Sequence, residues 1–372
     1  MSNLPADSTL RSPGGRQTPL YELHSALGAN LVDFAGYLMP LRYQSEIAEH
    51  QAVRAEAGLF DISHMGEIFV TGPEAAAALD HALVGNISPL AVGRARYTMI
   101  CEAAGGVLDD LIVYRLADHE YMVVANAANV ATVREALLAR AKGYEALVDD
   151  RSDSYALIAV QGPKSQEILL TLTDAPLPEL KYYAILSGTV AGVDALIGRT
   201  GYTGEDGFEL FVAASDAVAV WQALQDQVKP CGLSARDTLR LEAGMPLYGN
   251  ELSVETTPYD AGLGRVVKLD KPGDFVGRAA LAAVADTPPA RSLTGLVARG
   301  RRAPRHGYAV VTSDGTPCGV VTSGAPSPTL GKPIAMAYVD SAAPEGDLFV
   351  DIRGKHEPVD VVDLPFYKRP QP

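Results

Sequence analysis

The run Gly105-Gly106-Val107-Leu108-Asp109-Asp110-Leu111-Ile112-Val113-Tyr114 sets two adjacent carboxylates inside an apolar, β-prone segment that follows a diglycine. In a strand, successive side chains point to opposite faces, so Asp109 and Asp110 cannot share one environment. One of them must face a cavity or a partner. Upstream, Arg96-Tyr97-Thr98-Met99-Ile100 reads as the outgoing arm of a hairpin, with Ala103-Ala104-Gly105-Gly106 as its turn and the two acids on the returning arm.

A chain of 372 residues is too long for one ordinary core, and two or three domains are expected. Its 47% hydrophobic and 20% charged content is that of a folded globular protein. No apolar run reaches the roughly 18 to 20 residues that span a bilayer, so no membrane helix is expected. Residues 1–17 lack an apolar core and an Arg-rich amphipathic pattern and read as a frayed tail. Cys101, Cys231 and Cys318 fit neither a metal pattern nor a disulfide framework, which favours a reducing compartment and a cytoplasmic location. The net charge of −14 argues against nucleic acid or an anionic membrane as partner, so an anionic ligand must find a local basic patch. The seven histidines show no ligand spacing, and no metal site is expected.

Along the chain, Thr18-Pro19 opens a short helix that ends near Gly28, and Val32 to Met39 reads as a strand broken by Gly36. Ser45 caps a helix from Glu46 to Ala57. Strands follow at Gly66–Val70 and Tyr121–Asn126, then a helix with Val130, Val133 and Leu137 at its apolar positions. His64, just before the Gly66 strand, reads as scaffold. A second cycle runs from the Tyr155–Val160 strand to the Trp221, Leu224, Val228 helix, which Ser215 is placed to cap. Between them, the glycine-rich stretch 200–210 carries Glu205, Asp206 and Glu209 and has no nucleotide fingerprint, so it is either tight turns or a ligand rim. Ser234-Ala235-Arg236-Asp237 has the form of a capping box opening a helix over Thr238–Ala243. Arg236 and Arg240 lie four apart on one face, where an anion or a surface salt bridge must offset them. The segment 285–292 is a Pro-rich linker. Beyond it, six short strands between Leu293 and Val362 have the pattern of a small barrel or sandwich. Arg299, Arg301, Arg302, Arg305 and His306 form the one dense basic cluster.

Long ordered motifs then carry a resemblance over nearly the whole chain: TPLYELH at 18–24, VDFAGYLMPLRY at 32–43, LFDISHMGE at 59–67, GGVLDDLIVY at 105–114, RTGYTGEDGFEL at 199–210, KPCGLSARDTLRLEAGMPLYGNEL at 229–252 and RRAPRHGY at 301–308. The sequence resembles the T proteins of the glycine cleavage system, folate-dependent aminomethyltransferases. That resemblance implies an α+β fold of three domains in a cloverleaf-like arrangement around a folate channel. Two interleaved α+β domains would occupy 18–284, and an all-β barrel-like domain 293–372. It implies transfer of an aminomethyl carbon from the dihydrolipoyl arm of H protein to tetrahydrofolate, giving 5,10-methylenetetrahydrofolate and ammonia. Carried over by motif, Asp109 matches the catalytic acid and Asp110 points away to structure. Glu209 matches the acid holding the pterin and Arg236 a folate-contacting arginine, with Tyr202, Met65, Tyr97 and Asn126 lining the pocket. A pterin edge presents adjacent donors that a carboxylate accepts, and a carboxylate also stabilises an iminium-like carbon. The alternative reading is a tetrahydrofolate-dependent demethylase. A non-catalytic folate protein with a KGCYxGQE motif is disfavoured, because Lys271 to Arg278 holds no cysteine.

Overall fold

The structure, a computed structural model, describes residues 15–343 and 346–370. Most of the N-terminal region is two sheets packed face to face. One has five strands in the order Ala95–Cys101, Val107–Ala117, Glu120–Ala125, Gly66–Thr71, Leu147–Asp150. The other has six, in the order Ile185–Val190, Val193–Gly198, Gly207–Ala213, Tyr155–Gln161, Gly58–Asp61, Lys229–Pro230. The chain crosses from the second sheet to the first at residues 62–65 and returns after Asp150.

The strands are apolar on both sides because each sheet is covered twice. On the outer face of the five-stranded sheet, Leu111, Val113, Tyr121 and Val123 pack with Leu79 and Val133 of the helices Ala75–Ala82 and Val130–Arg140. On the outer face of the six-stranded sheet, Ile158, Val160, Phe208 and Leu210 pack around Trp221 of the helix Ala217–Gln225. Between the sheets lie Phe60, Ile62, Phe69, Tyr114, Met122, Leu157 and Phe211. The layers are therefore helix, sheet, sheet, helix. A third sheet, Arg16–Gln17, Tyr37–Arg42 and Asn30–Phe34, flanks them.

The C-terminal strands close into a six-stranded barrel, Arg291–Ala298, Lys332–Asp340, Pro317–Ser327, Ala309–Val311, Leu348–Asp351 and His356–Val362 in order around it. Its wall meets the helix Leu233–Glu242, where Leu241 packs on Ala325, Ile334 and Met336. That helix touches both the inter-sheet core, through Ala235 and Leu239, and the barrel. It is the hub on which the site depends.

Four local expectations change. Residues 1–14 of the expected tail lie outside the described residues, while Arg16–Gln17 pair in parallel with Tyr37 and Leu38. The capping box at Ser234 does not form: the helix starts a turn earlier, capped at Gly232, where a Cβ would lie 2.4 Å from the Leu41 carbonyl oxygen. That close approach requires glycine and fixes the start of the helix. Ser215 caps nothing, since a 3₁₀ turn at Ala214–Asp216 leads into the helix. Gly36 turns a hairpin instead of interrupting one strand, with both Ala35 and Gly36 at positive φ. By contrast, Ser45 does cap its helix, its side chain accepting from the Ala48 N–H.

Candidate active site

A cavity of about 380 Å³ opens between the two sheets, walled on one side by the Leu233–Glu242 helix and the loop that follows it. Its position follows from strand parity. In Val107–Ala117, Leu111 and Val113 face the helix layer, so Asp109 shares their face, while Asp110 joins Ile112 and Tyr114 toward the other sheet. In Gly207–Ala213, Phe208 and Leu210 face the helix layer, which turns Glu209 inward with Phe211. Two carboxylates on facing sheets thus look into one space.

Met65, Tyr97, Asn126, Tyr202, Glu209 and Arg236 all line this cavity. Asp109 does not. The sequence reading that turned Asp109 inward and Asp110 away is reversed: Asp110 lines the cavity, and Asp109 is fully buried behind it. The physical reason is that both faces of this strand are apolar, so hydrophobic pattern cannot say which acid faces which layer.

The cavity acid is held at both oxygens. Tyr97 Oη donates to Asp110 Oδ2 at 3.0 Å and Asn126 Nδ2 donates to Oδ1 at 2.9 Å. Burial raises the Asp110 pKa, which these two donors oppose. Behind it, burial and the neighbouring charge of Asp110 push Asp109 up to about 7, against the donors from Asn126 and Asn129. Glu209 accepts from Thr200 Oγ1 and from Tyr114 Oη at one oxygen, Oε2. Its other oxygen makes no hydrogen bond with the described residues.

Arg236 and Arg240 both line the cavity. Among the described residues the Arg236 guanidinium makes no ion pair and no hydrogen bond, and it lies 4.9 Å from the centre of the Tyr202 ring. Burial lowers its pKa, which the charge of Glu209 counters. Tyr202 is fixed in turn by donating to the Pro246 carbonyl. The anion expected between Arg236 and Arg240 is not shared. Arg240 is buried and satisfied by Asp237 at 2.8 Å, Glu251 at 3.1 Å and Ser323 at 2.7 Å.

His64 also lines the cavity, 3% exposed, edge-on to Phe34 with ring centres 5.3 Å apart. Its Nδ1 has no partner, so the expectation of a hydrogen-bonded scaffold histidine is not met. Burial, then the charge of Arg236, bring its pKa down to about 4, and the ring is neutral at pH 7. Phe34, Tyr183 and the loop Met245 to Tyr248 complete the wall. Nothing local in their sequence marks them; only the fold brings them here.

The other sequence candidates are accounted for. Of the three acids in the glycine-rich stretch, Glu205 pairs with Arg54 and Asp206 with Arg199, leaving Glu209 for the cavity. In the basic cluster, Arg299 bonds Asp347 and Asp360, Arg305 the Gly324 carbonyl and His306 the Thr322 carbonyl, while Arg301 and Arg302 are exposed. Among the described residues no group of His, Cys, Asp and Glu side chains could hold a metal, and no helix is long and apolar enough to cross a membrane.

Comparison with known proteins agrees with this geometry. Residues 20–271 match the family described as the GCVT N-terminal domain, and residues 291–368 the glycine cleavage T-protein C-terminal barrel domain. The aminomethyltransferase of Streptomyces avermitilis is 65% identical over 371 residues, covering 97% of this chain and 100% of the relative. That of Thermus thermophilus is 49% identical, covering 94% and 99%. The crystal structure of the glycine cleavage system aminomethyltransferase T of Bartonella henselae superimposes with a TM-score of 0.90 at 39% identity, covering 95% of this chain and 98% of that one.

Proposed function

The chain belongs to the glycine cleavage T-protein family of aminomethyltransferases, and from that premise we propose that the inter-sheet cavity takes tetrahydrofolate and receives the aminomethyl carbon from the dihydrolipoyl arm of H protein. The observation that carries this is the pairing of two open groups in one cavity: a carboxylate oxygen on Glu209 and the guanidinium of Arg236, both without a hydrogen bond or ion pair among the described residues. Both face the open cavity, so a ligand that displaces water from it must bring matching donors and acceptors.

Tetrahydrofolate has that pattern. Its amino-pyrimidinone edge offers adjacent N–H donors to Glu209, and its anionic glutamate end needs a cation such as Arg236. Tyr97, Tyr202, Tyr183 and Met65 supply flat and adaptable apolar walls for the rings. In the reaction the carbon in transit gains positive character. Asp110, held at both oxygens by Tyr97 and Asn126, is a preorganised negative charge for it, and its neighbours need not rearrange when the charge develops. The resulting products are 5,10-methylenetetrahydrofolate and ammonia.

The test is an assay with tetrahydrofolate and aminomethylated H protein. Methylenetetrahydrofolate and ammonia in equal amounts are expected. Tetrahydrofolate binding without either product would refute the aminomethyl transfer and redirect attention to a methyl donor.

A further inference from the structure

Asp109 has no place in the cavity, yet it is fully buried and accepts three hydrogen bonds. Asn126 N–H donates to its Oδ2 at 2.9 Å, Asn126 Nδ2 to its Oδ1 at 2.9 Å, and Asn129 Nδ2 to the same Oδ1 at 2.7 Å. Asn126 lies just past the end of Glu120–Ala125, and the register that pairs Ile112 with Val124 sets it opposite Asp110. Its one amide nitrogen therefore serves both acids, giving 2.9 Å to Asp109 Oδ1 and 2.9 Å to Asp110 Oδ1.

Resting on the folate reading above, we infer that Asp109 is a positioning residue, which with Asn129 clamps the backbone and amide of Asn126 so that Asn126 holds the cavity acid Asp110 at a fixed angle. Besides Asp109, the Asn126 backbone is held by the Asn129 N–H, which donates to its carbonyl at 2.8 Å, but that bond leaves the side-chain amide free to turn. Asn126 sits at a strand end, and among the described residues the only other acceptors of its amide are the side chain and carbonyl of Asp110. Without Asp109, the amide is free to turn fully onto Asp110 or away from it. Either movement rotates the carboxylate, whose second oxygen is tied, among the described residues, to Tyr97 alone.

A clamp of this kind acts on orientation, not on ligand affinity. In Asp109→Asn, turnover of tetrahydrofolate with aminomethylated H protein is expected to fall about 10- to 100-fold, with KM for tetrahydrofolate changing by less than about threefold. Asn129→Ala, which leaves both acids in place, is expected to show the same split with a smaller loss, about 3- to 10-fold. Asp110→Asn is the reference. If it abolishes turnover while both clamp variants keep wild-type kcat, the clamp is refuted and the cavity reading stands. If Asp110→Asn itself keeps wild-type kcat, the cavity reading fails first. A rise in KM matching the fall in kcat in Asn129→Ala would show a generally damaged pocket and overturn the positioning role. Should Asp109→Asn not fold, Asn129→Ala decides alone.

Discussion

Arg236 and Arg240 stand one turn apart on the same helix, and the structure treats them in opposite ways. Arg240 also touches the cavity wall, but its guanidinium is spent at the seam between the helix and the barrel, where Asp237, Glu251 and Ser323 satisfy it. Arg236 reaches the inter-sheet cavity, where it has an aromatic ring beside it and, among the described residues, no ion pair. The same contrast holds for acids. Glu242, at the seam, is engaged by His50, Arg54, Ser327 and Thr329, whereas Glu209, in the cavity, leaves one oxygen unused. A seam closes its charges on each other because it must hold two units together. The cavity leaves them open, as the proposed ligand site requires.

The contrast is sharpest when one arginine at a time is removed. Arg240→Met strands Glu251 and Asp237, and the expected loss is about 3–5 kcal/mol of unfolding free energy, read by denaturant titration. A loss under about 1 kcal/mol would break the distinction from the seam side.

Next in size is the acid limb of stability. Burial works against ionised Glu242, but the hydrogen bonds and charge of His50 and the hydroxyls of Ser327 and Thr329 more than offset it and hold its pKa at about 2. A depressed carboxylate stabilises the fold above its unfolded pKa near 4.5 and loses that contribution as pH falls toward 2. Glu242→Gln should flatten the stability curve by about 3 kcal/mol across that window. Asp109 has the opposite sign. With its pKa raised to about 7, stability declines as pH rises from about 4 to 7, and Asp109→Asn should remove that slope.

The smallest stability effect belongs to the cavity. Arg236→Met should leave unfolding free energy within about 1 kcal/mol of wild type, because no ion pair is lost. Tetrahydrofolate affinity, measured by calorimetry, should still fall by about tenfold or more. A large stability loss with unchanged affinity would erase the comparison.

Much of this was legible in the sequence where one face of an element differs from the other. The six C-terminal strands are short and separated by glycine and proline turns, and they close as a barrel, one of the two forms that pattern allows. Ser45 is a cap by sequence and a cap in space. The site acids were visible as charges in apolar strands, but the side they face was not. Leu111 and Ile112 are equally apolar, because one packs on helices and the other on a sheet. Ser234 looked like a helix start, but the contact of Gly232 with Leu41, from a distant strand, moves the start earlier. Phe34, His64 and Tyr183 reach the cavity from three separate segments, and no local pattern announces that convergence.

In the proposed function, the open groups between the sheets take tetrahydrofolate and Asp110 is the acid that meets it. A crystal structure of the protein with tetrahydrofolate bound tests this most directly. The expected result is the pterin edge hydrogen-bonded to Glu209, Asp110 in contact with the ligand, and Asp109 still bonded to Asn126 and Asn129. Tetrahydrofolate bound outside this cavity, or touching Asp109 with Asp110 turned away, would contradict it.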